Sequence, residues 1–140
     1  KEETESDLFG EQAVLCGGIP ALIQSAFEIL VEEGFQPIVA WYVCFYEVKL
    51  IVDVFHKKGF QHMYSAISET AEFGGLKQGS KIINSSVKSE LRSILNDIQD
   101  KSIYEEFEED ANNSFEILTK MRNKQRNSIF EQTSRLINND

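Results

Sequence analysis

Three carboxylates and one hydroxyl are spaced in ways that could do chemistry. Asp7 and Glu11 stand four residues apart, so on a helix they project from one side, with Val14 and Gly18 continuing that face. Two like charges at this spacing repel by about 0.2–0.5 kcal/mol in a bare helix. A bound divalent cation reverses that sign, and an oxygen-rich pair suits Mg²⁺, which is held by one or two carboxylates plus water and substrate oxygens. The competing reading is simpler, because acids early in a helix complement its dipole. Glu47 is the third carboxylate. At about 100° per residue, a helix over 38–57 puts Tyr42, Tyr46, Lys49, Asp53 and His56 on a polar face. Val43, Cys44, Leu50, Ile51 and Val54 then surround Glu47 on the apolar one. A carboxylate there must be paired, metal-bound or protonated, since an unpaired buried charge is very costly. A core ion pair with a Lys or Arg of another helix is the alternative to a functional site. Ser68 opens Ser68-Glu69-Thr70-Ala71-Glu72, and local sequence favours a helix N-cap there.

Helices are what the sequence offers to position these groups. Val87, Leu91, Ile94, Leu95 and Ile98 form one apolar stripe at helical period, with Ser85 or Ser86 as its expected cap. The apolar residues from Leu8 to Leu15 and from Ala21 to Val31 predict two helices broken near Gly17-Gly18. Gly34 is the expected C-cap of the second. Pro37 opens the next, which should run to about Lys57 and stop at Gly59. Shorter helices are expected at 60–67 and 69–77, and two or three amphipathic segments after Ser102. No segment sustains the alternation of a strand. The predicted class is all-α, one domain, without repeats or a low-complexity linker.

Composition narrows the function. The chain has 140 residues, 23 acidic and 14 basic, for a net charge of −9. That acidity argues against nucleic acid or an anionic membrane as partner. No charge-free run of about 18 apolar residues occurs, so no membrane-spanning helix is expected. The start, Lys1-Glu2-Glu3-Thr4-Glu5-Ser6-Asp7, lacks the apolar core of a signal peptide. Cys16 and Cys44 lie in apolar runs and read as buried, reduced thiols, in keeping with a soluble, intracellular protein. The eight glycines build no dinucleotide or triphosphate fingerprint and no nucleophile elbow. Two His and two Cys make no zinc set. The acidic run 105–110 and the basic residues Lys120, Arg122, Lys124 and Arg126 read as two solvated faces that could pair with each other.

Taken together, the residues resemble a known family. The string Glu3-Thr4-Glu5-Ser6-Asp7-Leu8-Phe9-Gly10-Glu11-Gln12-Ala13-Val14-Leu15-Cys16-Gly17-Gly18 is similar to the start of the C-terminal domain of ketol-acid reductoisomerases. The similarity continues through Phe27–Pro37, Glu47–Asp53 and Tyr64–Gly74, with Ile67-Ser68-Glu69-Thr70-Ala71-Glu72-Phe73-Gly74 as its core. It covers residues 1 to about 75 well, Leu91–Asp100 more loosely, and the final third in outline.

The resemblance implies a Mg²⁺-dependent alkyl migration and a hydride transfer from NADPH. Together they convert a 2-hydroxy-2-alkyl-3-oxo acid into a 2,3-dihydroxy acid in branched-chain amino-acid synthesis. It implies that residues 1–140 are an all-α, knotted C-terminal domain of the short-chain class, two copies of which intertwine as a dimer. Asp7, Glu11 and Glu47 match the positions that ligate a pair of Mg²⁺ ions, and Ser68 matches a substrate-binding serine. One departure stands out. The family's other central-helix glutamate falls at position 43, which is Val43 here. The second Mg²⁺ site should then be weakened or lost, and a helical dimerisation module that kept the fold without catalysis is the alternative. The NADPH-binding domain lies upstream in the family, so this chain alone is expected neither to bind NADPH nor to catalyse the reduction. A bacterial cytoplasm, or a plastid, is the expected location.

Overall fold

Two places where helical hydrogen bonding widens by one residue set the layout of the N-terminal half. The computed structural model describes residues 1–139. Helix α1 spans Glu2–Phe9, with Glu2, Glu3 and Glu5 in its first turn, where the helix dipole favours acids. It runs straight into a first π turn, Gly10–Leu15. Helix α2, Gly18–Glu32, follows after a break at Cys16 and Gly17. A side chain is excluded at this break. A Cβ at Gly17 would sit 1.9 Å from the Gln12 carbonyl oxygen, and one at Gly18 would sit 2.4 Å from that of Ala13. Helix α2 ends as expected at Gly34, whose φ of +91° allows the Gly34 and Phe35 amides to close on the Val31 and Leu30 carbonyls.

Pro37 opens α3, Pro37–Trp41, at its first position. A second π turn, Tyr42–Tyr46, leads into α4, Glu47–Ala66. Gly59 (φ 83°, ψ 174°) breaks α4 where the sequence predicts a stop. Helix α5, Glu69–Ile82, runs five residues beyond the expected end. Helix α6, Ser85–Gln99, is capped by Asn84 rather than Ser85 or Ser86, and its side chain accepts from the Ser86 and Val87 amides at 3.0 and 3.1 Å. Asn is as good a cap as Ser. The tail forms three helices, α7 Ser102–Asn112, α8 Glu116–Arg126 and α9 Ile129–Asn138. No strand occurs among the described residues.

The core is small. Phe27, Ala40, Trp41 and Phe130 are buried together, and Ile23, Leu30, Val31, Cys44 and Ile137 pack around them. Phe130 meets Phe27 edge-on at 5.3 Å and Phe45 at 5.2 Å, a favoured aromatic geometry. Helix α9 thereby closes over α2 and α3. The α6 stripe packs on α1 and the first π turn, with Ile98 buried.

The acidic run is not simply solvated. Asp110 is buried, and its carboxylate accepts from the Ile117 and Leu118 amides at 2.7 and 2.9 Å. It caps α8 across a loop in which Ser114 and Phe115 take positive φ. The acidic and basic runs do not pair with each other. The ion pairs among the described residues are Lys1–Glu5, Lys49–Asp53 and Glu116–Lys120, each between residues four apart. Cys16 is exposed, against expectation, and it ends the first π turn at the break before α2. Cys44 is half-buried, and burial pushes its thiol pKa up, which keeps the proton on sulfur.

Much apolar surface stays uncovered. Helix α5 buries none of its residues and α4 only Met63, while Leu50, Phe60, Phe73 and Leu76 are exposed. The run Glu2–Glu32 holds one stretch long and apolar enough to cross a membrane by length and composition, with a mean hydropathy of 1.8 and 6% of it buried in the chain. The chain exposes 11001 Å². A compact monomer of 16.0 kDa exposes about 7400 Å², leaving an excess of roughly 3600 Å².

Candidate functional site

Each of the singled-out acids on the first and fourth helices is tied to a π turn. Asp7 occupies the last turn of α1, and Glu11 lies inside the first π turn. The Glu11 carbonyl accepts the wide bond, from the Cys16 amide at 2.7 Å. The second π turn closes from its other end, because the Glu47 amide donates to the Tyr42 carbonyl. Such one-turn widenings inside α-helices are frequent at functional sites. The second π turn packs against α2, and the first leads into α2 across the break at Cys16 and Gly17.

Asp7, Glu11 and Glu47 are all exposed. None takes part in a side-chain hydrogen bond or ion pair among the described residues. Lys49, two residues from Glu47, is held instead by Asp53 at 2.6 Å. That contact keeps the Lys49 ammonium above its usual pKa and the Asp53 carboxyl below its own. The core ion pair that competed for Glu47 is therefore not formed.

Glu47 is not buried as the helical projection predicts. Leu50, Ile51 and Val54 follow the second π turn and rotate with Glu47, so it keeps their face; that face is incompletely covered in one chain, and the turn rotates it by about 100° relative to the residues before it. Its expected apolar neighbours are also open, with Val43 49% and Leu50 55% exposed. Periodicity alone carries no signal for such an insertion, so the two π turns escape a reading of the sequence.

Ser68 is the N-cap of α5, and its Oγ accepts from the Ala71 amide at 3.2 Å. The hydroxyl is exposed and keeps its own proton to donate.

Within one chain these groups are not gathered into a single centre. No cluster of three or more His, Cys, Asp or Glu at metal-holding distance occurs among the described residues. Asp7 lines a shallow groove of about 530 Å³ with Glu3, Thr4 and Ser6, which neither Glu11, Glu47 nor Ser68 reaches. The donor chemistry nonetheless fits a hard cation. The three carboxylates offer oxygen only, none is neutralised by a Lys or Arg, and all are open to solvent or to a second chain.

Comparison with known proteins identifies the family. The family model described as "Ketol-acid reductoisomerase, C-terminal domain" matches residues 1–139. Among solved structures, the chain is similar to an NADH-preferring ketol-acid reductoisomerase from an uncultured archean. The two share 36% sequence identity, and the TM-score is 0.95. The match covers 99% of this chain and 42% of that one, so the chain spans well under half of its relative's length.

Proposed function

The chain belongs to the ketol-acid reductoisomerase C-terminal domain family, and from that premise we propose that it is the cation- and substrate-binding part of such an enzyme. The reaction in this reading converts 2-hydroxy-2-alkyl-3-oxo acids into 2,3-dihydroxy acids by alkyl migration and reduction. The observation that carries it is the set of three unpaired, exposed carboxylates, Glu11 inside the first π turn, Asp7 in the helical turn before it and Glu47 just after the second. Asp7, Glu11 and Glu47 would hold Mg²⁺. When bound, Mg²⁺ supplies Lewis-acid polarisation of the substrate carbonyl. Ser68 donates its hydroxyl proton to a substrate oxygen and orients it. A carboxylate of the same set accepts the substrate hydroxyl proton as the alkyl group moves.

The nicotinamide is supplied by an N-terminal domain, and NADPH is the expected donor. The solved relative prefers NADH, and the glycines of this chain build no dinucleotide fingerprint of its own. A second copy of the chain completes the assembly. The excess surface of roughly 3600 Å² per chain is ample for an obligate dimer, which buries roughly 2000–5000 Å² in total. The apolar stretch within Glu2–Glu32 also carries Gln24 and Glu28, which suits a protein cover better than lipid.

The test joins this chain to a family NADPH-binding domain and follows NADPH oxidation on 2-acetolactate. Oxidation that requires Mg²⁺ is expected. A dimer that binds NADPH but does not turn over at saturating Mg²⁺ would instead establish the non-catalytic module, the reading that Val43 favours.

Val43 yields its own prediction. The side chain lies half-exposed in the second π turn, one turn before Glu47, so a glutamate fits there without crowding. Val43→Glu should tighten Mg²⁺ binding by about tenfold, since affinity follows the number of charged ligands. Superimposable Mg²⁺ titrations of the two proteins would contradict it.

A further inference from the structure

Trp41 is the only tryptophan of the chain and the residue just before the second π turn. Its indole is 5% exposed. Three aromatic rings of that turn surround it, those of Tyr42, Phe45 and Tyr46, with centroids 5.2, 5.1 and 6.1 Å away. A buried indole N–H needs an acceptor, and Trp41 Nε1 donates to Ser134 Oγ at 2.7 Å. Ser134 belongs to α9, 93 residues further along the chain. The same helix touches the turn a second time, through Phe130 against Phe45 at 5.2 Å. None of the turn's own residues is buried, so the turn is held by what grips Trp41 and Phe45.

We infer that Ser134 is a positioning residue: by fixing the Trp41 indole it keeps the second π turn in its wide form and so sets the direction of Glu47. The link is covalent and short. Trp41 precedes Tyr42, and the Tyr42 carbonyl receives the Glu47 amide that closes the turn. A π turn is rare compared with an α turn. Relaxing it to an α turn would rotate Glu47 by about 100° about the helix axis. The last helix of the chain thereby tunes a carboxylate that it does not touch.

The inference rests on Glu47 as a cation ligand, and the experiment separates the two. Mg²⁺ binding is measured by calorimetry on the purified protein in its native oligomeric state, for wild type, Ser134→Ala, Ser134→Thr and Glu47→Gln. The emission of Trp41 reports the indole directly. Ser134→Ala should shift that emission, keep the helical circular dichroism and weaken Mg²⁺ binding about tenfold, the scale of outer-sphere partners of metal ligands. Ser134→Thr restores the acceptor and should restore the binding. Trp41→Phe keeps a ring but removes the donor, and should weaken Mg²⁺ binding to the same degree as Ser134→Ala. Unchanged Mg²⁺ binding in Ser134→Ala with a shifted emission would overturn the inference, as would an equal loss in the Ala and Thr variants. If Glu47→Gln alone weakens binding, Glu47 stands as a ligand and the role of Ser134 falls. If Glu47→Gln binds Mg²⁺ like wild type, the ligand assignment falls and the inference falls with it.

Discussion

If the proposed function holds, Asp7→Asn in this chain joined to an NADPH-binding domain should lower kcat by about a thousandfold, roughly 4 kcal/mol of transition-state stabilisation, while leaving the fold intact. The substitution keeps shape and removes one charge. Asp7 is exposed and makes no side-chain hydrogen bond or ion pair among the described residues, so no native contact is lost. Without metal the variant should be no less stable than wild type. Removing one of two like charges at this spacing relieves repulsion of about 0.2–0.5 kcal/mol. With Mg²⁺ the order should reverse, because a cation that binds only the folded wild type would raise its stability in proportion to the logarithm of its concentration. The check is a pair of melting curves, with and without Mg²⁺, beside the rate. A thousandfold rate loss with a melting temperature that no longer responds to Mg²⁺ is expected. A variant that keeps wild-type turnover, or that still gains stability from Mg²⁺, removes Asp7 from the ligand set. Glu11→Gln should behave alike, since its side chain is equally unpaired.

The second large effect is on assembly. Analytical ultracentrifugation should find the protein as a dimer or a larger species, and Phe73→Asp should weaken the dimer at least about a hundredfold, roughly 2.7 kcal/mol. Phe73 is 68% exposed on α5, a helix with no buried residue. An aromatic ring left so open is ordinary by itself. Here Leu76 on the same helix is also exposed, as are Leu50 and Phe60 on α4, in a chain that leaves roughly 3600 Å² more surface open than a compact monomer, and we place Phe73 in the proposed dimer contact on that ground. A carboxylate carried into a dry interface without a partner is costly, whereas Phe73→Leu keeps the apolar contact and should retain the dimer. A wild-type sedimentation profile of a 16.0 kDa monomer at micromolar concentration would remove the second copy from the account. Partition of the protein onto uncharged vesicles without dimerisation would assign the Glu2–Glu32 stretch to lipid instead.

Much of the helical framework was legible because its signals are local. The Val87–Ile98 stripe, the Gly34 cap, the Pro37 start and the Gly59 break each depend on a few neighbouring residues, and each is found where the pattern puts it. The Ser68 cap is of the same kind. The misses are of another kind. Cys16 is exposed at a break whose close backbone approach, Gly17 against the Gln12 carbonyl, leaves no room for a side chain and is invisible to periodicity. Asp110 looked like one acid in a charged run. Its burial depends on a loop with two left-handed residues that brings the start of α8 over its carboxylate.

The two π turns show the boundary most clearly. The sequence by itself determined an all-α chain, its family through the run Asp7–Gly18, and which acids have the chemistry for a hard cation. These rest on residue type and on spacing within a few turns, which survive any packing. Only the tertiary structure decided where Glu47 faces and what holds it there. One extra residue in the turn before Glu47 shifts the helical phase. That extra residue is retained because the Trp41 indole, the ring of Phe45 and the distant α9 pack together around it. Such a phase is set by contacts between residues far apart in the chain, so no local pattern could record it.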